Sequence, residues 1–241
     1  MNLQMDGRKA DNYSSNAQKI RVITEDWVNN NMFCPYCGNK YVSHFENNRP
    51  VADFFCPSCK EEYELKSKGA SISNKINDGA YNTMIERITS INNPNFFFMH
   101  YNKISLQIEN FVMVPKYFFS PDIIEKRKPL AETARRAGWT GCNILLNRIP
   151  NEGRIYIVQN EKEISVKKLE TRGWMLDVLN CVNIIEDRDF TLEQMYSFEK
   201  MLAEKHPDNH HIKDKIRQQL QMLRDNGIIE FIGRGRYRKN N

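Results

Sequence analysis

Four cysteines in two closely spaced pairs could bind a metal ion. The pairs are Cys34/Cys37 and Cys56/Cys59, each in a C-P-x-C sequence, with eighteen residues between them. Two such turns supply the four soft thiolates of a tetrahedral zinc site. A site closed by four thiolates leaves no open coordination position, so we predict that this zinc is structural. The alternative is four unligated buried thiols.

An aspartate before the second cysteine pair and a Glu-x-Lys sequence after it could bind a second kind of metal ion. If the cysteine turn is a hairpin, Asp53 and Glu64 lie on antiparallel neighbouring arms. Alternation along a strand then puts Glu64 and Lys66 on one face and Leu65 in the core. Two carboxylates suit Mg²⁺, which lowers the pKa of an attacking water. Lys66 would counter negative charge in the transition state.

Asp…Glu-x-Lys is typical of metal-dependent nucleases, but the pattern alone is weakly specific. Exposed Glu-x-Lys pairs are common on amphipathic strands, and Lys60, Glu61, Glu62 and Lys68 make this segment highly charged in any case. A zinc-anchored hairpin together with a separate DNA-binding module would strengthen the nuclease interpretation.

The surrounding sequence predicts the elements that position these residues. Apolar spacing predicts a helix from Ser15 to Trp27 and another from Ile76 to Ile91. Strands are predicted over Phe96–Met99, Ile104–Val114 and Arg154–Val158. This alternation of strands and helices indicates an α/β core.

The C-terminal third has a different pattern, which predicts a winged helix-turn-helix. Thr191 to Gln194 fits a capping box that opens a helix running to about Lys205. A third helix follows from about Asn209 to Asp225, and then a hairpin with a basic turn at 233–236. Residues 209–241 contain eight Lys/Arg and three acids, whereas 177–208 contain three Lys/Arg and eight acids. Such polarity favours a polyanionic partner, and a solvated basic tail is the alternative.

Several residues are candidates for contacting DNA. If Ile212 and Ile216 of the third helix are buried, the opposite face of this helix is exposed. The side chains on that face could bind base edges or phosphates, and they are Lys213, Arg217, Gln218 and Gln221. Arg234 and Arg236 at the turn could contact phosphate or the minor groove. A glycine-flanked loop further upstream holds Arg135, Arg136 and Trp139. Trp139 is either part of an apolar methyl pocket or a core residue.

Composition limits the class of protein. The chain has 241 residues with 40% hydrophobic content, and no window is apolar for long enough to span a membrane. The polar N-terminus lacks the apolar core of a secretory signal, so we expect a cytoplasmic protein. Cys142 and Cys181 fall outside the paired spacing and are expected to be small buried residues.

With these residues identified, the chain resembles the methyl-directed type II restriction endonucleases of the DpnI kind. The resemblance covers most of the chain and rests on long motifs, which include SNAQKIRVITEDWV, HFENNRPVADFFC, EEYELKSK, RKPLAETARRAGWTGCNI and IKDKIRQQLQMLRDNGIIEF. It implies a PD-(D/E)xK core with a four-cysteine zinc site, followed by a winged helix. Asp53, Glu64 and Lys66 take the catalytic positions, and Asp53, Glu64 and the backbone carbonyl of Leu65 would bind Mg²⁺.

The resemblance also implies a substrate and a domain organisation. The substrate would be double-stranded DNA at GATC sites whose adenine carries an N6-methyl group, cleaved by a monomer. We expect a nuclease domain over 1–165 and a winged-helix domain over 166–241. Residues 1–14 and the shorter stretch between Gln159 and Arg172 depart from the family pattern. Two alternatives remain open: a repair nuclease indifferent to methylation, and a zinc-ribbon and winged-helix regulator without catalysis.

Overall fold

The structure is a computed structural model that describes most of the chain. The described ranges are 1–46, 52–69, 75–90, 93–149, 153–160, 162–163, 166–207, 209–225 and 227–240, with the backbone alone for 162–163 and 166–173. The chain divides into two compact units, Met1–Ile164 and Ser165–Asn241. Each unit is described by itself.

The first unit mixes strands and helices. In chain order its elements are α1 (Asn16–Asn31), β1 (Ser43–His44), β2 (Phe54–Phe55), β3 (Glu62–Lys68), β4 (Lys75–Ala80), α2 (Tyr81–Ile88), β5 (Asn95–Tyr101), β6 (Ile108–Val114), β7 (Ile124–Lys126), β8 (Gly141–Leu145), β9 (Ile155–Gln159) and β10 (Lys162–Glu163). Among the described residues these strands form a seven-stranded sheet, ordered β1-β2-β3-β5-β6-β9-β10, and a smaller sheet ordered β4-β8-β7. Only β3 and β5 pair in parallel within the described strands of the large sheet.

The core of the first unit lies around β5. All seven residues of β5 are buried, as expected for a central strand covered on both faces. The Phe97 ring stacks on Tyr63 of β3 with 4.6 Å between ring centroids, and Phe96 stacks on Phe119 at 4.0 Å. Fully burying one such side chain contributes about 1.5–3 kcal/mol. The core therefore fixes β3, which carries the Glu-x-Lys sequence.

The N-terminal helix and the strand predictions are largely confirmed. Helix α1 buries Ile23 and Trp27 as its apolar spacing predicts. The predicted strand over Ile104–Val114 starts later, at Ile108. The residues before it form a turn, because Oδ1 of Asn102 accepts hydrogen bonds from the N–H groups of Ile104 and Ser105.

The helix predicted over Ile76–Ile91 is wrong for its first part. Residues Lys75–Ala80 form strand β4, and only Tyr81–Ile88 are helical. Asn77-Asp78-Gly79 are poor helix formers, and Ile76 gains a partner in Ile144 of β8. The expected core position of Leu65 is also wrong, since this side chain is only half-buried.

In its described residues, the second unit contains four helices and a small sheet. Its elements are α3 (Val166–Ile184), β11 (Asp189–Thr191), α4 (Leu192–Tyr196), α5 (Glu199–Lys205), α6 (Ile212–Asp225), β12 (Ile229–Gly233) and β13 (Arg236–Lys239). The capping box is confirmed, because Thr191 and Gln194 exchange backbone and side-chain hydrogen bonds. The single helix predicted to Lys205 is broken at Ser197, whose hydroxyl donates to the carbonyl of Gln194.

Helix α6 is amphipathic, and its predicted buried face is confirmed. Ile212, Ile216, Leu220 and Leu223 are buried. Strands β12 and β13 form an antiparallel hairpin whose turn contains Gly235 at φ +69°, and β11 pairs with the other side of β13. Cys142 and Cys181 are buried, as predicted, and Trp174 is buried as well. Among the residues that the structure describes, no helix is long enough and apolar enough to cross a membrane.

Candidate active site and metal centre

The two cysteine pairs lie in turns of the same construction. In the first turn the N–H of Gly38 donates to the carbonyl of Cys34, and in the second the N–H of Lys60 donates to the carbonyl of Cys56, both at 3.0 Å. The residue after each second cysteine has a left-handed backbone, with φ +72° at Gly38 and +65° at Lys60. Two copies of one turn therefore present four thiols.

The four sulfur atoms fit a tetrahedral zinc ion. All four Sγ atoms lie within 4.8 Å of one another, with 3.7 Å between Cys34 and Cys59 and 3.6 Å between Cys37 and Cys56. A tetrahedron with Zn–S bonds of about 2.3 Å has S···S edges of about 3.8 Å. The hydrogen bond between Cys34 and Cys59 lowers the pKa of Cys34 and raises that of Cys59, so the two sulfur atoms share a proton that a bound zinc ion would displace. The Tyr63 hydroxyl, 3.0 Å from Cys34 Sγ, is an outer contact of this cluster.

The cysteine turns connect the strands that carry the acidic residues. Strand β2 lies between Asp53 and Cys56 and pairs antiparallel with both β1 and β3. The predicted hairpin between the Asp53 arm and the Glu64 arm is confirmed. Because β2 has only two residues, the turn at Cys56 and Cys59 is needed to hold Asp53 beside β3.

Asp53 contacts the backbone between Glu64 and Lys66. Its Oδ2 accepts the N–H of Leu65 at 2.7 Å, and its own N–H donates to the carbonyl of Tyr63 at 3.0 Å. The Asp53 Oδ1 atom lies 3.9 Å from Nη2 of Arg21 on α1, and the Arg21 side chain is also held by Glu25. This carboxylate therefore has a fixed orientation next to β3.

Glu64 and Lys66 project from the same face of β3 and form a buried ion pair. The Nζ atom of Lys66 is 2.6 Å from Oε1 of Glu64, and the two side chains are 19% and 11% exposed. Burial raises the pKa of Glu64 above its usual value, although Lys66 and Arg87 oppose this. Burial alone would lower the pKa of Lys66, but the charges of Glu64 and Asp78 outweigh it and raise that pKa. Lys66 is therefore an ammonium ion at neutral pH.

Two further residues, missed at the sequence level, complete this cluster. Asp78 on β4 forms an ion pair with Lys66, and Arg87 on α2 forms one with Glu64. Both residues lie in the segment Ile76–Ile91, which was predicted to be a single helix. Its first part, which contains Asp78, is a strand instead. The Asn-Asp-Gly sequence at 77–79 disfavours a helix and could have indicated β4. The pairing of β4 with β8 is between distant parts of the chain, so local sequence could not predict it.

Asp53 and Glu64 offer the type of ligand that a hard divalent cation prefers. Asp53 and Glu64 supply carboxylate oxygens around the peptide of Leu65, and oxygen ligands are those Mg²⁺ prefers. The Oε2 atom of Glu64 is buried without a hydrogen bond among the described residues, although it is ion-paired with Arg87. Both oxygens of Glu64 therefore face cationic groups.

The predicted DNA contacts of the first unit lie in the loop between β7 and β8. Arg135 and Arg136 are exposed. Trp139 is half-buried, with the Arg136 guanidinium 4.7 Å from its ring centre. Leu130 and Trp139 share a backbone hydrogen bond of 2.9 Å, and Gly138 adopts φ +77°. The tryptophan is therefore in a closed loop rather than in the core.

The predicted DNA contacts of the second unit are exposed. They are Lys213, Arg217, Gln218 and Gln221 on α6, and Arg234 and Arg236 at the hairpin turn. Two of them hold acidic partners: Lys213 lies 3.3 Å from Glu199, and Arg217 pairs with Asp214. A polyanion would compete with these weak surface pairs.

Comparison with known families gives two matches that together span nearly the whole chain. The model described as DpnI, Dam-replacing family, matches residues 1–176. The model described as DpnI_C, Dam-replacing HTH domain, matches residues 170–239. The second match identifies a helix-turn-helix in the C-terminal unit and implies DNA binding.

Proposed function

The chain belongs to the Dam-replacing family of DpnI, and from this membership we propose that it is a methyl-directed type II restriction endonuclease. Its substrate is double-stranded DNA at GATC sites in which adenine carries an N6-methyl group. It hydrolyses phosphodiester bonds with Mg²⁺ and has a structural zinc ion on Cys34, Cys37, Cys56 and Cys59. Residues 1–165 form the PD-(D/E)xK nuclease domain, and 166–241 form the winged-helix domain.

The contact between Asp53 and the Leu65 peptide, beside the Glu64–Lys66 ion pair, carries this proposal. Asp53, Glu64 and the Leu65 carbonyl are the proposed magnesium ligands. Bound Mg²⁺ would lower the pKa of the attacking water and stabilise charge on the phosphoryl group. Lys66 remains protonated and offers positive charge to the pentavalent transition state. The buried surroundings of this pair strengthen that electrostatic effect.

Selectivity for methylated adenine needs several contacts. Burying one methyl group contributes ~0.8 kcal/mol, which is about a fourfold preference. A GATC palindrome presents two methyl groups. If each domain contacts both of them, the four contacts together give a preference for methylated DNA of roughly two hundredfold. Trp139 is the proposed methyl-contacting residue of the nuclease domain, because its ring is half-buried in a loop flanked by exposed arginines. Arg135 and Arg136 would bind the adjacent phosphates.

The second unit supplies the remaining DNA contacts. Gln218 and Gln221 are placed for adenine edges, and Lys213 and Arg217 for guanine or phosphate. Arg234 and Arg236 would bind the backbone beside the hairpin. Their shared exposure on α6 and the hairpin turn supports these roles.

One plasmid prepared with and without adenine methylation tests the proposal. With Mg²⁺ we expect cleavage of the methylated plasmid alone. Asp53→Ala and Lys66→Ala should abolish linearisation of the plasmid, leaving at most residual nicking, and should retain binding to a methylated duplex. Glu125→Gln, which removes an exposed carboxylate paired with Lys75, is the control and should cut normally.

Each alternative function predicts a different result. Equal cleavage of both plasmids would identify a methylation-independent nuclease. Absence of nicking with Mg²⁺ or Mn²⁺ on either plasmid would indicate a regulator. Intact cleavage by either active-site variant would overturn the assignment of Asp53 or Lys66.

A further inference from the structure

The ammonium group of Lys66 has two carboxylate partners. It lies 2.6 Å from Oε1 of Glu64 on its own strand, and it donates a hydrogen bond to Oδ1 of Asp78. The Asp78 side chain is 10% exposed, comparable to Glu64 at 11%. A buried carboxylate is costly unless it is paired, so the Asp78 contact is an integral part of the cluster.

The fold brings Asp78 to Lys66 from a different sheet. Ile76 and Asp78 alternate with exposed residues of β4 and therefore share its inward face. Asp78 pairs with Cys142, whereas Ala80 pairs with Gly141, so Gly79 is an extra residue in the ladder. Such a bulge redirects the strand, and here it lies just before β4 ends at Ala80. Helix α2 then begins and supplies Arg87 to Glu64.

The two partners of Lys66 differ in what else they must do. In the proposed reaction Glu64 binds the metal ion, and a carboxylate that binds a cation interacts less strongly with a neighbouring ammonium. Asp78 has no proposed metal to bind and retains its contact. A lysine side chain has about 2 kcal/mol of rotamer entropy, so its position depends on such a contact.

We propose that Asp78 is a positioning residue that holds the Lys66 ammonium at the scissile phosphate during cleavage. The proposal rests on the proposed nuclease function and assigns Asp78 no contact with DNA or metal. Its effect passes through Lys66, and substitution of Asp78 therefore changes the rate of cleavage and leaves the affinity for DNA unchanged.

The experiment measures single-turnover cleavage and DNA binding by the full chain. Asp78→Asn keeps the size of the side chain and removes its charge, and Asp78→Ser is a second variant in case the first does not fold. Cleavage of methylated plasmid should slow by at least about tenfold, since small misplacements of a reacting group cost up to about a hundredfold. Affinity for a methylated duplex, measured with Ca²⁺ in place of Mg²⁺, should change by less than about twofold.

A double variant separates positioning from a general structural effect. In a Lys66→Ala background, Asp78→Asn should cause no further loss of residual nicking, because the side chain through which it acts is gone. The control is Glu125→Gln, which removes the charge of another lysine-paired carboxylate in the same sheet and should cut at the wild-type rate.

The outcomes distinguish this proposal from the one on which it rests. If the wild type cuts and Asp78→Asn and Asp78→Ser cut equally fast, Asp78 does not position Lys66. The same conclusion follows if Asp78→Asn reduces the nicking rate of the Lys66→Ala variant by the same factor as it reduces the cleavage rate of the wild type. A wild type that cuts no DNA overturns the nuclease function itself, and the Asp78 proposal fails with it.

Discussion

At the scale of single residues, the two cysteine turns differ at the position that has a left-handed backbone. Gly38 and Lys60 occupy equivalent places with a left-handed backbone. This conformation costs a residue with a Cβ atom about 1–2 kcal/mol and costs glycine nothing. The second turn therefore contains a strain that the first does not.

Substitutions at these two positions should have opposite effects on stability. Lys60→Gly relieves the strain but adds about 0.5–1 kcal/mol of chain entropy in the unfolded state. We expect the free energy of unfolding to rise by about 0.5 kcal/mol. Gly38→Ala should lower it by about 1 kcal/mol, although a Cβ atom at Gly38 would meet nothing within 4 Å.

Urea denaturation at saturating zinc measures both changes. Gly79→Ala is a control in the same unit, because Gly79 also has open space around its Cβ position but is not among the glycines with positive φ. Destabilisation by Lys60→Gly would contradict the strain argument.

The sequence predicts the residues of the site that share local spacing, but not those that arrive through tertiary structure. Asp53, Glu64 and Lys66 flank one cysteine turn, so their proximity follows from a single hairpin. Asp78 and Arg87 reach them from β4 and α2, and their positions depend on the pairing of β4 with β8. The catalytic roles of Asp53, Glu64 and Lys66 stay predictions.

At the scale of elements, the four-cysteine cluster joins strands that are too short to form many hydrogen bonds. Strands β1 and β2 have two residues each, which is below the usual strand length. Their sequence contains too little periodicity to predict them as strands. The cysteine spacing predicted the turns instead, because metal ligation depends on residue type and separation rather than on strand propensity.

Loss of the zinc cluster should abolish cleavage before it unfolds the large sheet. We expect Cys56→Ser to lower the zinc content and to release Asp53, which is three residues away. Plasmid cleavage should fall by at least about a hundredfold, as reacting groups lose their alignment. Far-ultraviolet circular dichroism should retain most of its signal, since β5 and β6 do not depend on the cysteine turns.

A matched control is Cys142→Ala, which changes a buried cysteine outside the cluster. It should retain zinc and cleavage. Full cleavage by Cys56→Ser, or equal zinc content in the two variants, would contradict a structural zinc site on these residues.

At the scale of the whole molecule, positive charge is concentrated at the C-terminal end. The excess of five basic residues over 209–241 equals the formal net charge of the chain, +5. Charge counting predicted this polarity without any knowledge of the fold. The helix boundaries needed the structure, because Ser197 interrupts a pattern that is continuous in apolar spacing.

The salt dependence of DNA binding should report this charge. If Arg234 and Arg236 each contact a phosphate, Arg234→Ala/Arg236→Ala should make the slope of log affinity against log salt less steep by about 2. Fluorescence anisotropy of a methylated duplex with Ca²⁺ measures it. Replacing Lys9 and Arg8, which pair with Asp26 and Asp6, provides a charge-matched control with an unchanged slope. An unchanged slope in the hairpin variant would exclude these contacts.

The unequal anchoring of the two acidic arms has a consequence for how activity is lost. Glu64 and Lys66 lie on the seven-residue strand β3, whereas Asp53 precedes the two-residue strand β2, which the turn at Cys56 and Cys59 joins to β3. Oxidation of those sulfurs would release the aspartate and leave the glutamate and lysine in place. If the chain is the proposed nuclease, such oxidation would therefore give a protein that still binds DNA through its helix-turn-helix unit and no longer cuts it.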